Sequence, residues 1–289
     1  MRSVTVLAPA KLNLTLDITG LAPNGYHELE MLMQAVSLYE RVTVEKSRGL
    51  SVALPGSRVP GGKHNTAYKA AVAFFQDTGL LAGAHITIHK AVPVRAGMAG
   101  GSADAAAVLV GLNALYRARL STGELCRIGL AVGADVPFSI LGGTARVRGI
   151  GDILEPVTPC PACWFTVAMP AGGVSTPQAY ALYDEKGAGR RPDNAAAARA
   201  LARGDLAALC AAMGNALEFS SPSKANGPIC ETLRAHGALA AQMTGSGAAV
   251  FGVFDDRQQA EEARAALAAR WPQTWVLSPV NEGARLLKK

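Results

Sequence analysis

A glycine-rich turn that runs straight into a long apolar helix constrains this chain more than any other feature. Residues 93–106 read Pro-Val-Arg-Ala-Gly-Met-Ala-Gly-Gly-Ser-Ala-Asp-Ala-Ala. The alanine-rich pattern that follows predicts a helix beginning near Ser102, with Ser102 as its N-cap. A helix start leaves about four backbone N–H groups without intrahelical partners and carries the positive end of the helix dipole, so it favours an anion. Gly97, Gly100 and Gly101 have no Cβ, which lets the backbone approach phosphate oxygens and turn through positive φ. The segment also has a bland reading, a strand-to-helix connection with no ligand. It contains neither a Gly-x-x-x-x-Gly-Lys-Ser/Thr run nor the Gly-x-Gly-x-x-Gly fingerprint of dinucleotide-binding folds.

With 289 residues, 49% hydrophobic and 17% charged, the chain can fill a core, and its length favours two domains. Its apolar stretches are interrupted well before the roughly 20 residues a membrane span needs. Residues 1–6 do not pair a charged start with an apolar signal core, so a cytoplasmic protein with no membrane partner is expected. The five cysteines are odd in number and scattered, unlike a disulfide framework. Cys160-Pro-Ala-Cys163 lacks a second ligand pair for zinc and precedes a strand-like segment rather than a helix, so no metal site is expected. A net charge of +6 draws anions. The Lys and Arg residues are spread along the chain without interleaved aromatics, which points to small anionic ligands rather than nucleic acid.

Residues 4–18 alternate, with Leu12, Leu14, Leu16 and Ile18 on one face and Lys11, Asn13, Thr15 and Asp17 on the other. Lys11 and Asn13 therefore sit side by side on a sheet surface. Pro23-Asn24-Gly25 signals a turn, and residues 41–46 and 50–54 read as short strands. Asn65 or Thr66 caps a helix stopped by Gly79, and Ile86 and Ile88 mark the strand feeding the glycine turn. Ser121-Thr-Gly-Glu124 has capping-box spacing and opens a helix ending near Gly133. A strand is expected over 139–148 and another over 164–169. Helices follow from Ser175-Thr176-Pro177 and over 194–213. A second glycine element, Met243-Thr-Gly-Ser-Gly-Ala248, leads into a strand over 249–254; a helix over 256–270 and a final strand near 275–277 close the chain. Strands and helices interleave without a regular period, so the class is α+β. The proline-rich 155–163 stretch divides it into domains 1–158 and 159–289.

Phosphoryl transfer to an alcohol asks a protein to hold phosphates, offset their charge, and orient and deprotonate the attacking hydroxyl. Lys11 offers a fixed positive charge and Asp135 a carboxylate set among small residues and a proline. Each also has an ordinary explanation: a solvated edge-strand lysine, and a turn aspartate bonded to its own backbone.

Pro9-Ala-Lys-Leu-Asn13, Asn24-Gly-Tyr-His-Glu-Leu29, the 93–106 loop, Gly133-Ala-Asp-Val-Pro-Phe138 and Thr244-Gly-Ser-Gly-Ala248 follow one another over nearly the whole chain. In order and spacing they resemble the GHMP kinases, and within that superfamily the 4-diphosphocytidyl-2-C-methyl-D-erythritol kinase family of the non-mevalonate isoprenoid pathway. The resemblance implies a two-domain α+β GHMP kinase fold, with an N-terminal ATP-binding domain of ribosomal-protein type and a C-terminal ferredoxin-like α/β sandwich. It implies ATP as phosphoryl donor, magnesium with it, and a cytidine diphosphate-linked polyol as acceptor, in a monomer or homodimer. By position, Asp135 would be the general base and Lys11 the charge beside it. Asn13 would orient the polyol, Tyr26 and Tyr180 would sandwich the cytosine, His27 would bond its edge, and Thr176 would lie in the same wall. Asn65 would contact the nucleotide, and Pro93, Arg95, Ala96, Gly97, Met98, Ala99, Gly100, Gly101, Ser102 and Ala103 would follow the ATP phosphates. Thr244, Gly245, Ser246 and Gly247 would support that loop from the second domain. The family usually has a fuller glycine run where this chain has Ala96 and Ala99, with Met98 in place of a leucine; alanine adds a methyl and disfavours positive φ, which bears on loop geometry. The alternatives are a GHMP kinase for another small alcohol, such as homoserine or mevalonate, and a nucleotide-binding protein without turnover.

Overall fold

The computed structural model describes residues 2–23 and 25–288. Asn24, at the centre of the expected turn, lies outside the described residues. Strands β1 (Ser3–Leu21) and β2 (His27–Ser47) form one long antiparallel hairpin, Ser3 opposite Glu45 and Leu21 opposite His27. Its register shifts between Pro9 and Ala10, Asn13 and Thr15, and Ile18 and Gly20, and such bulges bend and twist a ribbon. The short β3 (Ser51–Ala53) is followed by α1 (Thr66–Thr78), which Asn65 caps and Gly79 ends, as its sequence signals require. Next come β4 (Gly83–His89), α2 (Gly100–Tyr116), α3 (Thr122–Leu130) with its Ser121–Glu124 capping box, and α4 (Val136–Leu141). Strands β5 (Thr144–Gly149) and β6 (Ile153–Pro156) complete the first half.

The second half runs β7 (Trp164–Ala168), α5 (Thr176–Lys186), α6 (Asn194–Arg203), α7 (Leu206–Ala212), β8 (Gly214–Asn215), α8 (Asn226–Ala235), β9 (Ala240–Met243), β10 (Val250–Phe254), α9 (Arg257–Ala268), β11 (Thr274–Leu277) and β12 (Arg285–Leu286).

The first sheet has the path β12-β1-β2-β4-β3, with β5 and β8 attached to β2 and β1 and β6 to β5. Helices α1 to α4 cover one face, where Phe74, Leu109 and Leu112 pack on Val6, Val42, Ile86 and Ile88. The second sheet, β11-β7-β10-β9, is antiparallel throughout. With β7, α8, β9, β10, α9 and β11 in chain order, this is the ferredoxin-like arrangement that the resemblance implies. Phe165, Val167, Phe251 and Val253 of the second sheet meet Leu12, Leu14, Leu32 and Val36 of the first in one shared core. The polar side of β1 is buried too, under Met31 and the 244–245 element.

Several local expectations change. Helix α2 starts at Gly100, its N-cap is Ala99 with φ 57°, and no side chain caps it, so Ser102 is a first-turn residue. Residues 41–46 are the end of a 21-residue strand, not a short one. The strand expected over 139–148 is α4 followed by β5, because Val136-Pro137 starts a helical turn before the chain extends. The third helix stops at Leu130, short of Gly133. The helix expected over 194–213 is split into α6 and α7 at Gly204, which takes φ 65°. β11 is not the last strand, since β12 returns to pair with β1. No helix among the described residues is long and apolar enough to cross a membrane.

Candidate active site

A cleft of about 920 Å³ opens beside the glycine turn. Of the expected ATP-side residues, Asn65, Pro93, Arg95, Ala96, Gly97, Met98, Ala99, Gly100, Gly101 and Ser102 line it, while Ala103 is buried behind it in the α2 core. Two residues with a Cβ, Arg95 (φ 56°) and Ala99 (φ 57°), occupy the left-handed region that alanine and arginine disfavour. They are held there by the rest of the fold. Ala248 N donates to Arg95 O (3.1 Å), Ala249 N to Ala96 O (3.1 Å) and Lys11 N to Met98 O (3.2 Å). Thr66 Oγ1 donates to Gly101 O (2.7 Å), joining the starts of α1 and α2. Gly97, at φ 74°, faces Thr244 so closely that any Cβ would press into the Thr244 carbonyl oxygen. The second glycine element therefore backs directly onto the first.

Gly245 and Ser246 line the cleft, and Thr244 lies behind them with its hydroxyl accepting from Asn13 N (3.0 Å). Asn215 holds this element, donating Nδ2 to Met243 O and Gly245 O, both at 2.9 Å. Gly247 does not line the cleft among the described residues.

Lys11 and Asn13 come from adjacent positions on one side of β1. Lys11 is 5% exposed and Asn13 1%, so neither is a solvated edge residue. The Lys11 ammonium donates to Asn13 Oδ1 at 2.5 Å, and Asn13 Nδ2 donates to Met31 Sδ at 3.1 Å. Burial pulls the Lys11 pKa below the ordinary lysine value, and the charge of Asp135 works in the opposite direction. Asp135 stands at the N-cap of α4, but its side chain caps nothing. Its carbonyl accepts from Ser139 N and Ser139 Oγ instead. The carboxylate thus stays available to the cleft, which it lines together with Lys11 and Asn13.

At the other end the cleft wall is aromatic. Tyr26 is 64% exposed. His27, the first residue of β2, stacks on Tyr180 of α5 with centroids 4.8 Å apart and planes 26° from parallel. The ring parallel to Tyr180 in this structure is thus His27. His27 Nε2 and Asp184 Oδ1 are 2.7 Å apart. Burial, then the charge of Asp135, pushes the Tyr180 hydroxyl up to about 12, so the aromatic end and the carboxylate share one space. Thr176 begins α5 and stands 3.2 Å from Ser246 through their hydroxyls.

Sequence reasoning missed a buried charged group under the loop: Lys90 stands between Glu40 (2.5 Å) and Asp104 (2.7 Å). One signal was readable, since Asp104 is the sole charge in the 17-residue helix α2. Glu40 and Lys90 carried none, each being one polar residue in a strand or at its end. Asp184 and Asn215 were equally silent, because their partners lie 157 and about 30 residues away.

The family model for the GHMP kinases N-terminal domain matches residues 65–143, and that for the GHMP kinases C-terminal domain matches residues 197–273. The 4-diphosphocytidyl-2-C-methyl-D-erythritol kinase of Pelotomaculum thermopropionicum is 42% identical over 277 residues, 94% of each chain. Its counterpart from Alkaliphilus metalliredigens is 39% identical, covering 95% of this chain and 96% of that one. A crystal structure of a 4-(cytidine 5'-diphospho)-2C-methyl-D-erythritol kinase superposes with a TM-score of 0.80 at 34% identity, covering 95% of this chain and 98% of that one. Homoserine kinase from Cytophaga hutchinsonii superposes at 0.78 with 18% identity over 99% of this chain and 98% of its own, a likeness of fold alone. With this level of identity across nearly its whole length, the chain belongs to the 4-diphosphocytidyl-2-C-methyl-D-erythritol kinase family of the GHMP kinases.

Proposed function

We propose that this protein is a cytoplasmic enzyme that transfers the γ-phosphoryl group of ATP to the 2-hydroxyl of 4-diphosphocytidyl-2-C-methyl-D-erythritol. The products are the 2-phosphate and ADP, on the route to isoprenoid precursors. The observation that carries this reading is a buried ammonium, Lys11, electrostatically coupled to a carboxylate, Asp135, in the cleft that the glycine turn lines.

The chemistry follows from those positions. Asp135 takes the proton from the 2-hydroxyl as its oxygen bonds to the γ-phosphorus, and the bond from that phosphorus to the β–γ bridging oxygen breaks, leaving ADP. Lys11, buried beside Asp135, offsets the charge that develops on the attacking oxygen. Asn13, bonded to Lys11, orients the polyol. The amides of residues 96–101 and the start of α2 receive the phosphates. Among the described residues no group of three or more His, Cys, Asp or Glu side chains could hold a metal ion. Magnesium, were it bound with ATP, would offset phosphate charge, and the Ser102 hydroxyl, which lines the cleft, would be a side chain able to hold it. At the far end Tyr26 and Tyr180 supply stacking faces, and His27, oriented by Asp184, supplies the polar edge that selects cytosine. In this assignment residues 1–158 form the ATP-binding domain; residues 159–289 supply Thr176, Tyr180 and the 244–247 element.

The test is an assay of ADP release with ATP, magnesium and the cytidylated substrate, set beside homoserine and mevalonate as acceptors. Turnover with the cytidylated substrate alone is the expected result. Turnover with another acceptor would remove the cytidine site, and none with any acceptor would leave a nucleotide-binding protein.

A further inference from the structure

Beneath the phosphate loop, with Lys90 and Asp104 bordering the cleft, lies a buried cluster to which the phosphoryl transfer described above gives no role. Lys90 follows β4 at the point where the chain leaves the sheet to form the loop. Its ammonium is 2.5 Å from Glu40 Oε1 on β2 and 2.7 Å from Asp104 Oδ2 on α2. Glu40 is 0% exposed and Asp104 3%. Glu40 also accepts from the backbone N–H groups of Ala91 (3.0 Å) and Val92 (3.3 Å). One β2 carboxylate therefore holds residues 90–92, where the loop begins, and the ammonium carries the tie on to the start of the second turn of α2, beyond its end.

The loop between those two points needs such a tie. It contains Arg95 and Ala99 in the left-handed region, which side chains with a Cβ adopt only when the surroundings impose it. The cluster also sits directly under the backbone that would meet phosphate. A Cβ added at Gly100 would stand 3.2 Å from Glu40 Oε1.

A lysine beside a phosphate site invites the simpler view that it binds phosphate. The charges argue otherwise. Two carboxylates already face the one ammonium, so fully ionised the cluster is net negative and offers nothing to a polyanion. Burial pushes Asp104 up to about 7 against the pull of Lys90, and Glu40 adds to the rise. Asp104 Oδ1 has no protein partner among the described residues, so this is the carboxylate with least to lose on taking a proton. Lys90 and Asp104 border the cleft, but an ammonium held at 2.5 and 2.7 Å by two carboxylates serves geometry rather than ligand charge.

We propose that Lys90, clamped between Glu40 and Asp104, is a positioning residue that fixes the loop in the shape that receives the ATP triphosphate. The proposal rests on the assignment of the loop to the ATP phosphates. It is tested on the full chain with Lys90→Met, Lys90→Arg and Glu40→Gln. The readouts are KM for MgATP, KM for the cytidylated substrate, kcat, and thermal protection by ADP and by CDP.

Lys90→Met is expected to raise the KM for MgATP at least tenfold and to remove protection by ADP. The KM for the cytidylated substrate stays within twofold and protection by CDP persists. Lys90→Arg returns the cation to its two carboxylates and brings the KM for MgATP to within about threefold of the parent. A folded Lys90→Met protein with an unchanged KM for MgATP overturns the proposal, and so do equal losses for both substrates. Should Lys90→Met fail to fold, Glu40→Gln decides, since glutamine keeps the size and an acceptor for Ala91 while removing one charge. A selective rise of threefold or more in the KM for MgATP supports the tie, and an unselective or absent effect refutes it. If the parent protein itself gains no protection from ADP, the ATP assignment of the loop fails, and the proposal with it.

Discussion

Replacing Lys11 by methionine separates what the fold needs from what catalysis needs. Methionine keeps the reach of the side chain and removes the charge. Lys11 is 5% exposed, and burial lowers its pKa more than the charge of Asp135 raises it, so the ammonium is less stable in the fold than in water. Replacing every member of a buried ion pair with apolar groups of similar volume is neutral or stabilising by about 1–4 kcal/mol; here only the ammonium goes, and the gain is no larger because Asp135 stays behind, half-buried and open to the cleft. Losing the charged hydrogen bond to Asn13 offsets about 1.5–3 kcal/mol of that gain. The two terms nearly cancel, so Lys11→Met is expected to keep Tm within about 2 °C of the parent. The folded-state pKa lies below 10.5, so between the two values the unfolded chain binds the extra proton and the stability of the parent rises with pH. The stability of Lys11→Met relative to the parent is therefore greatest near neutral pH and falls as the pH approaches 10.5. Activity moves the other way, because one preorganised charge at the reacting oxygen is worth about 10²–10³ in kcat. Thermal unfolding at pH 7.5 and 9.5 and the ADP-release assay measure both. A Tm lowered by more than 2 °C, or a kcat within threefold of the parent, would refute the account of Lys11 as a destabilising charge kept for catalysis.

Asp135→Asn is expected to lower kcat by about 10²–10⁴ while leaving CDP and ADP protection intact; near-normal turnover would remove the base assignment. Tyr26→Ala should weaken the cytidylated substrate by about 1–3 kcal/mol, read as loss of protection by CDP with protection by ADP preserved, and equal losses would count against the stacking wall. Gly97→Ala places a methyl against the Thr244 carbonyl at φ 74° and should cost about 1–3 kcal/mol of stability together with a raised KM for ATP. A variant with parent Tm and KM would show that the two glycine elements do not constrain each other.

The legibility of the chain followed the range of the physics. Ser121 and Glu124, Asn65 with Gly79, and Thr176-Pro177 mark helix ends through bonds made within a few residues, and each helix starts where those residues say. The α2 start was misread because its cap is backbone: Ala99 takes a left-handed turn that its own residue type opposes, imposed by bonds from residues 11, 248 and 249 to the same loop. The false strand at 139–148 had the same origin, since a short apolar run fits a buried helix turn as well as a strand.

For the site, the sequence by itself determined the residue types, their order and the glycines that let backbone meet backbone, because φ preferences and alternation are local. It could not say that the polar side of β1 is buried, that the Asp135 carboxylate caps nothing at the start of α4, or that Lys90 has two carboxylates around it. Those are outcomes of tertiary closure: Leu12 and Leu14 pack against Phe165 and Phe251, over 150 residues away, while Met31, the glycine turn and the 244–245 element cover Lys11 and Asn13 on the other face. Burial and charge pairing depend on what stands opposite across the core, and only the tertiary structure decides that.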